Sequence, residues 1–192
     1  MNFGRRRILK IAPAAALAAF ASCASPPTQY YRLAALPGPV RDTAPQSIRV
    51  RNISIPGYLD QDNIAKAGAA YQFASFPNSL WAGPLADMLQ TTLVENLTQR
   101  LPRTTVTGTA GAIGTPAGLL IEINVLRFDP DPSGSITLLA QIALKNPDGS
   151  FRLTKTIQST ATPPTQDPPG TAAAMSTLWA GLANEIAQYA AE

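Results

Sequence analysis

The 192-residue chain has no histidine and only one cysteine. Without an imidazole it can assemble neither a Ser-His-Asp or Cys-His centre nor a histidine-ligated metal site. With one thiol it can form no internal disulfide. Charged residues are sparse, at 14%, and beyond Lys10 no run of Lys or Arg makes the footprint of a nucleic-acid-binding protein. The carboxylate pairs Asp60/Asp62 and Asp129/Asp131 each lie beside an expected turn and away from any ligand-rich motif, so they read as solvated turn residues. Gly111 to Gly118 holds three glycines but lacks the Lys-Ser/Thr pair of a phosphate-binding loop, and reads as a connection. No enzyme activity, metal or dissociable cofactor is expected, and any ATP hydrolysis would belong to another protein.

The chain does have a distinctive beginning. Arg5, Arg6, Arg7 and Lys10 precede an apolar stretch, Ile11 to Phe20, that is too short for a spanning helix but suits a secretory signal. Ala21 and Ser22 then lead to Cys23. This arrangement resembles the lipobox of bacterial lipoproteins, which implies a diacylglyceryl group on the thiol, cleavage before Cys23 and acylation of the new amino terminus. Such a set of acyl chains anchors stably. The stretch from Gly4 to Lys10 also resembles a twin-arginine export signal, with Gly4 and Ile8 at positions where Ser/Thr and Phe are usual. A general secretory route fits the same charges.

The expected division is a signal peptide over 1–22, a lipidated terminus and tether over 23–28, and one domain over 29–192. Removing the signal leaves 11 Lys and Arg against 12 Asp and Glu, so the apparent basicity belongs to the leader. Only Ala24-Ser25-Pro26-Pro27-Thr28 separates the lipid from the first expected strand, which holds the domain against its membrane. Ala24 stands where an inner-membrane retention signal would have Asp. The periplasmic face of the outer membrane is therefore the expected location, ahead of that of the inner membrane.

Hydrophobic periodicity predicts strands at Gln29 to Leu33, Gln46 to Ile55 with a change of face near Asn52, Tyr71 to Phe76, and Thr104 to Thr107. A meander is expected over Leu120 to Phe128, Ser135 to Leu144 and Phe151 to Gln158. In its middle member Ile136, Leu138, Ala140, Ile142 and Leu144 keep period two, and Asn146-Pro147-Asp148-Gly149 reads as the turn that follows. A first helix is expected from Leu80 to Arg100, capped by Asn78 or Ser79, with Trp81, Leu85, Met88, Leu89, Leu93 and Leu97 on one face. A second is expected from Thr171 to Ala190, with Met175, Leu178, Trp179, Leu182, Ile186 and Tyr189 as its stripe. Together these elements predict a single-domain α/β sandwich: a mixed or largely antiparallel sheet with two main helices packed on one face.

Three segments carry a wider resemblance. Tyr30-Tyr31-Arg32-Leu33, Ile55-Pro56-Gly57-Tyr58-Leu59-Asp60 and Asn78-Ser79-Leu80-Trp81-Ala82-Gly83-Pro84-Leu85 resemble, in order and spacing, the ABC-type transport auxiliary lipoprotein family, the PqiC-like proteins. The resemblance spans roughly Tyr30 to Tyr189. It implies a periplasm-facing lipoprotein that accompanies a protein with mammalian-cell-entry (MCE) domains in moving lipids between membranes, alongside a permease and an ATPase. Gly83 and Gln61 stand where the family often carries an acidic and a basic residue, so an ion-paired contact at those positions is not available here.

The expected role is thus non-catalytic docking or stabilisation of an MCE system. The alternative is a hydrophobic-ligand or lipid carrier, which needs a sizeable apolar pocket. Candidate partner-binding residues are Tyr58, Leu59 and Trp81. Ile55-Pro56-Gly57 can display Tyr58 and Leu59 at an edge, or Tyr58 can pack over the first helix with its hydroxyl bonded to a turn. Trp81 can close the core at the helix start or form a docking surface beside Pro84. Tyr30 and Tyr31 point to opposite faces if they lie in a strand.

Overall fold

The computed structural model describes residues 26–109, 114 and 116–192. The expected signal peptide, Cys23 and half of the Gly111 to Gly118 connection lie outside the described residues.

Two open mixed sheets and two helices make one domain. Strands β1 (Gln29–Tyr31), β3 (Asn63–Lys66) and β4 (Ala74–Trp81) form a three-stranded sheet in the order β1-β4-β3. In it β1 runs parallel to β4, while β3 and β4 form an antiparallel hairpin. Strands β2 (Ser47–Val50), β5 (Thr105–Gly108), β6 (Leu119–Pro130), β7 (Ile136–Lys145) and β8 (Phe151–Ala161) form a second sheet, in the order β5-β2-β6-β7-β8. Its β5, β2 and β6 are mutually parallel, and β6, β7 and β8 form the antiparallel meander. Helices α1 (Leu85–Arg100) and α2 (Pro168–Ala191) pack together.

Alternation builds the larger sheet. The predicted set on β7, from Ile136 to Leu144, is buried at every second position. On β6 the buried set is Leu119, Ile121, Ile123 and Val125, followed by Phe128 and Pro130. A bulge between Val125 and Arg127 absorbs this change of parity and turns Leu126 out to solvent. The predicted change of face near Asn52 is real. Strand β2 stops at Val50, and a bridge from Ser54 to Asn124 resumes the pairing with β6. The Asn146 turn closes as expected, with Gly149 at φ +85° and its N–H donating to Asn146 O at 2.9 Å.

The helix faces meet the inner side of this sheet. Trp179 on α2 is fully buried, stacks on Phe128 of β6 with ring centroids 6.0 Å apart, and donates its indole N–H to Leu89 O on α1 at 2.9 Å. One side chain thereby ties both helices to the sheet. Asp167 caps α2 by accepting from Gly170 N at 2.9 Å, and Pro168 and Pro169 fill its first turn, where a missing N–H costs nothing. The helix therefore starts three residues earlier than its apolar stripe indicates.

Other boundaries also differ from expectation. Helix α1 begins at Leu85, not Leu80, and neither Asn78 nor Ser79 caps it; both lie in β4. Pro84 sets the boundary because its ring fixes φ and disfavours helical geometry at the residue before it. The backbone upstream is already committed to strand: Trp81 N donates to Asp62 O and Ala82 N to Tyr31 O, each at 2.7 Å. The step of four from Trp81 to Leu85 suggests a helix, but one residue reaches the core from a strand and the other from a helix. The strand expected at Tyr71 starts only at Ala74, with Tyr71 in the preceding turn.

A buried arginine joins the layers. Arg100, at the end of α1, is fully buried and donates to Leu36 O at 3.0 Å, Asn96 O at 2.9 Å and Ala180 O at 3.3 Å, and also to the Asn184 side chain. Burial lowers its pKa, and these backbone and amide oxygens satisfy its donors. The incoming segment after β1 is thereby pinned against both helices.

Candidate docking site

The three segments that carry the resemblance converge on one spot. Tyr31 of β1 lies opposite Trp81 of β4. Leu59, at the end of a single 3-10 turn over Gly57–Leu59, lines the same small internal void as Trp81, Leu85, Phe128 and Met175. That void is about 10 Å³, so the side chains fill the space between them. Leu59 is 4% exposed and Trp81 5%. Both therefore belong to the core and neither presents a docking surface, which corrects the expectation of a face built from Tyr58, Leu59 and Trp81.

Tyr58 points the other way, as the middle residue of a 3-10 turn launched by Pro56 must when Leu59 is drawn inward. It is 41% exposed, and its hydroxyl donates to Asp129 Oδ1 at 2.8 Å. Arg127 Nε donates to the same oxygen at 3.3 Å. Burial, then the hydrogen bond from Tyr58 to Asp129 and the carboxylate's charge, push the phenol well above its ordinary pKa, so it stays a donor. Its ring meets Phe73 edge-on, with centroids 5.7 Å apart and planes at 64°. The hydroxyl's partner, Asp129, lies in strand β6 and not in a turn, and the ring packs on Phe73 and not over the first helix. Tyr30 is exposed and Tyr31 packs against the core, the opposite-face arrangement expected of a strand.

Phe73, Tyr71 and Arg127 are site neighbours that sequence reasoning did not single out, and Asp129 is one it read as a solvated turn residue. The signal available was the aromatic pair in Ala67-Gly68-Ala69-Ala70-Tyr71-Gln72-Phe73, where a small-residue loop holds two large rings with no periodic core position to fill.

The remaining depressions are open and of mixed polar and apolar lining. One of about 580 Å³ lies on the outer face of the larger sheet, lined by Asn52, Asn124, Gln141, Thr154 and Thr156 beside an ion cluster. In that cluster Glu122 accepts from Lys145 at 2.7 Å and Arg51 at 3.1 Å. Another, of about 460 Å³, runs between Arg32 to Ala35 and the start of α1 at Pro84, Asp87 and Met88. Among the described residues no group of three or more His, Cys, Asp or Glu is placed to hold a metal. No helix among them is long and apolar enough to cross a membrane. The Asp129/Asp131 pair holds local structure: Asp129 accepts from Tyr58 and Arg127, and Asp131 accepts from Ser133 and Ser135 in the β6–β7 turn.

The family model for the ABC-type transport auxiliary lipoprotein component matches residues 31–187, nearly the whole described domain. The chain belongs to this family. Among curated relatives of this auxiliary lipoprotein are the intermembrane transport lipoproteins PqiC of Escherichia coli and Shigella flexneri. Each is 33% identical over 76 residues, which span 38% of this chain and 41% of the relative. The match thus covers less than half the length of those relatives. A crystal structure of a Xanthomonas campestris protein superposes with a TM-score of 0.68 at 17% identity, covering 82% of this chain and 92% of that one. A crystal structure of an uncharacterized protein gives the same TM-score at 20% identity, covering 85% and 98%. At these identities the two structures establish the fold that the auxiliary lipoprotein shares with them.

Proposed function

We propose that the protein is a non-catalytic lipoprotein subunit, anchored through Cys23 and facing the periplasm, that docks or stabilises an MCE-type intermembrane lipid-transport system. The observation that carries this reading is the family match over residues 31–187. The intermembrane transport named for the PqiC relatives points the same way. Covalent diacylglycerol and an N-acyl chain on Cys23 would hold it at the periplasmic face, at the outer membrane because Ala24 follows the cysteine. Tyr58 is the one member of the expected contact set that lies at the surface, where its ring offers an aromatic anchor to a partner.

The carrier alternative needs an apolar enclosure. The void beside Trp81 is about 10 Å³, and the 580 Å³ depression is open to solvent, mixing amides and hydroxyls with Ile123, Ile142 and Ala143. Neither encloses an apolar ligand, which favours docking over carriage. The test is to isolate the acylated protein from membranes and identify what accompanies it. Co-isolation of an MCE-domain protein is the expected result, and a partner-free monomer loaded with lipid would replace docking with carriage.

A further inference from the structure

At the tip of the β3–β4 hairpin, Ala69 to Gln72 form a turn closed by Gln72 N donating to Ala69 O at 3.0 Å. Of its two central residues only Tyr71 has positive φ, at +66°. That is the type II pattern, whose third position is a glycine or asparagine position. A bulky residue there is a backbone outlier, and such strain marks positions held for function. The Tyr71 ring is fully exposed, so no contact within the domain offsets it. Phe73 and Tyr58 stand beside it, 44% and 41% exposed. Ala69 and Ala70 complete an exposed tip without a charge of its own.

The direction of the tether identifies what the tip meets. Strand β1 is parallel to β4 with Gln29 opposite Ser79, so the chain before Gln29 approaches from the end of β4 where Ala74 and the hairpin tip lie. Cys23 is six residues upstream, within about 20 Å of Gln29 by chain length. The five residues from Ser79 back to Ala74 span about 17 Å. A tether of that length can bring Cys23 level with Phe73. Around the rings, the groove they line carries Lys66 and Arg127 against Asp129 and Asp131, equal numbers of each sign. This balance gives no attraction to anionic headgroups, whereas Tyr and Phe rings on a neutral tip suit the interfacial zone of a bilayer.

We propose that the β3–β4 hairpin tip is a membrane-contact site, inserting Tyr71 and Phe73 into the interfacial zone of the bilayer that holds the Cys23 lipid. This rests on the anchoring of Cys23 and adds to it a fixed orientation: the three-stranded sheet stands with the hairpin end down, and the Asn146 turn faces away from the membrane. Contact is through ring insertion and is insensitive to salt.

The test uses the full acylated chain reconstituted in phosphatidylcholine vesicles. With Cys23 acylated, Ala70→Cys supplies a single free thiol for an environment-sensitive dye, and Ser150→Cys supplies the control at the opposite end of the sheet. Nitroxide-labelled lipids are expected to quench the dye at position 70 severalfold more than at 150, unchanged at about 1 M salt. Adding Tyr71→Gly, which relieves the turn and leaves the fold intact, is expected to abolish most of that difference. Equal quenching at 70 and 150 on an acylated, vesicle-bound chain overturns the contact site while leaving the anchor standing. A dye at 70 that stays in water on vesicles and is shielded only when a partner protein is added makes the tip a protein-docking surface instead. A mass showing unacylated Cys23 overturns the anchoring itself, and the contact site with it.

Discussion

Tyr58 and Trp81 differ in what their removal would cost, and the difference separates binding from folding. Tyr58→Ala forfeits a hydrogen bond to Asp129 and part of an exposed ring, a loss of about 1 to 2 kcal/mol. Trp81→Ala empties a packed site beside Leu59 and Phe128, and a loss of about 3 to 5 kcal/mol is expected. Denaturant melts run beside partner co-isolation check both: Tyr58→Ala should stay folded and bind more weakly, while a folded Tyr58→Ala chain with undiminished binding removes it as an anchor. Tyr71→Gly should raise stability by about 1 kcal/mol, because glycine takes positive φ without strain. A lowered melting midpoint would contradict that account. The aromatic types were legible as candidates, but burial was not, since Tyr and Trp serve equally well as core plugs and surface anchors.

At the scale of elements, Arg100 and the Glu122 cluster show how segments far apart in sequence are joined. A β-carbon at Gly38 would collide with the guanidinium of Arg100 and the side chain of Asn184, and neither can move freely because Arg100 is fully buried. Gly38→Ala should therefore cost about 1 to 3 kcal/mol in thermal or denaturant unfolding. Glu122 on β6 joins Arg51, just past β2, and Lys145 on β7. The hydrogen bond from Lys145, helped by the charges of Lys145 and Arg51, holds its carboxyl below the ordinary value of 4.5. A folded value below the unfolded one means the stabilisation is complete above about 4.5 and is lost as pH falls through the folded value. Glu122→Gln should flatten the acid limb of stability in that window and leave the plateau above it unchanged in shape. Strands β6 and β7 were legible because β7 keeps period two throughout and β6 keeps it up to its bulge, and β8 because it follows the Asn146 turn. Strand β3 and the start of α1 were not, because Asn63–Lys66 is too short to show a period and the helix boundary depends on what Trp81 pairs with.

For the whole molecule, anchoring and folding separate. The described domain has its own core, from Leu33 to Ala190, and Cys23 lies outside the described residues. Replacing the leader with an ordinary secretory signal and removing Cys23 should give a soluble protein with an unchanged melting curve that is released from membranes on fractionation. Full transport function from that soluble form at native abundance would show that the lipid anchor is dispensable. The absence of histidine also bears on the whole fold: no side chain of ordinary pKa changes charge between about pH 5 and 8, so stability should be level across that range.

Composition, periodicity and local motifs are properties a chain carries before it folds. They determined the exclusion of histidine chemistry, the meander with its Asn146 turn, the two helices and the family to which the chain belongs. What needed tertiary structure was every outcome set by long-range pairing: the division of the strands into two sheets, the parallel seat of β1 beside β4, and the burial of Leu59 and Trp81 while Tyr58 faces out. The carbonyl cage around Arg100 and the exposed Tyr71 at the hairpin tip belong to the same class. A side chain's type sets what it can do in water or in a core, but which of the two it meets depends on segments tens of residues away.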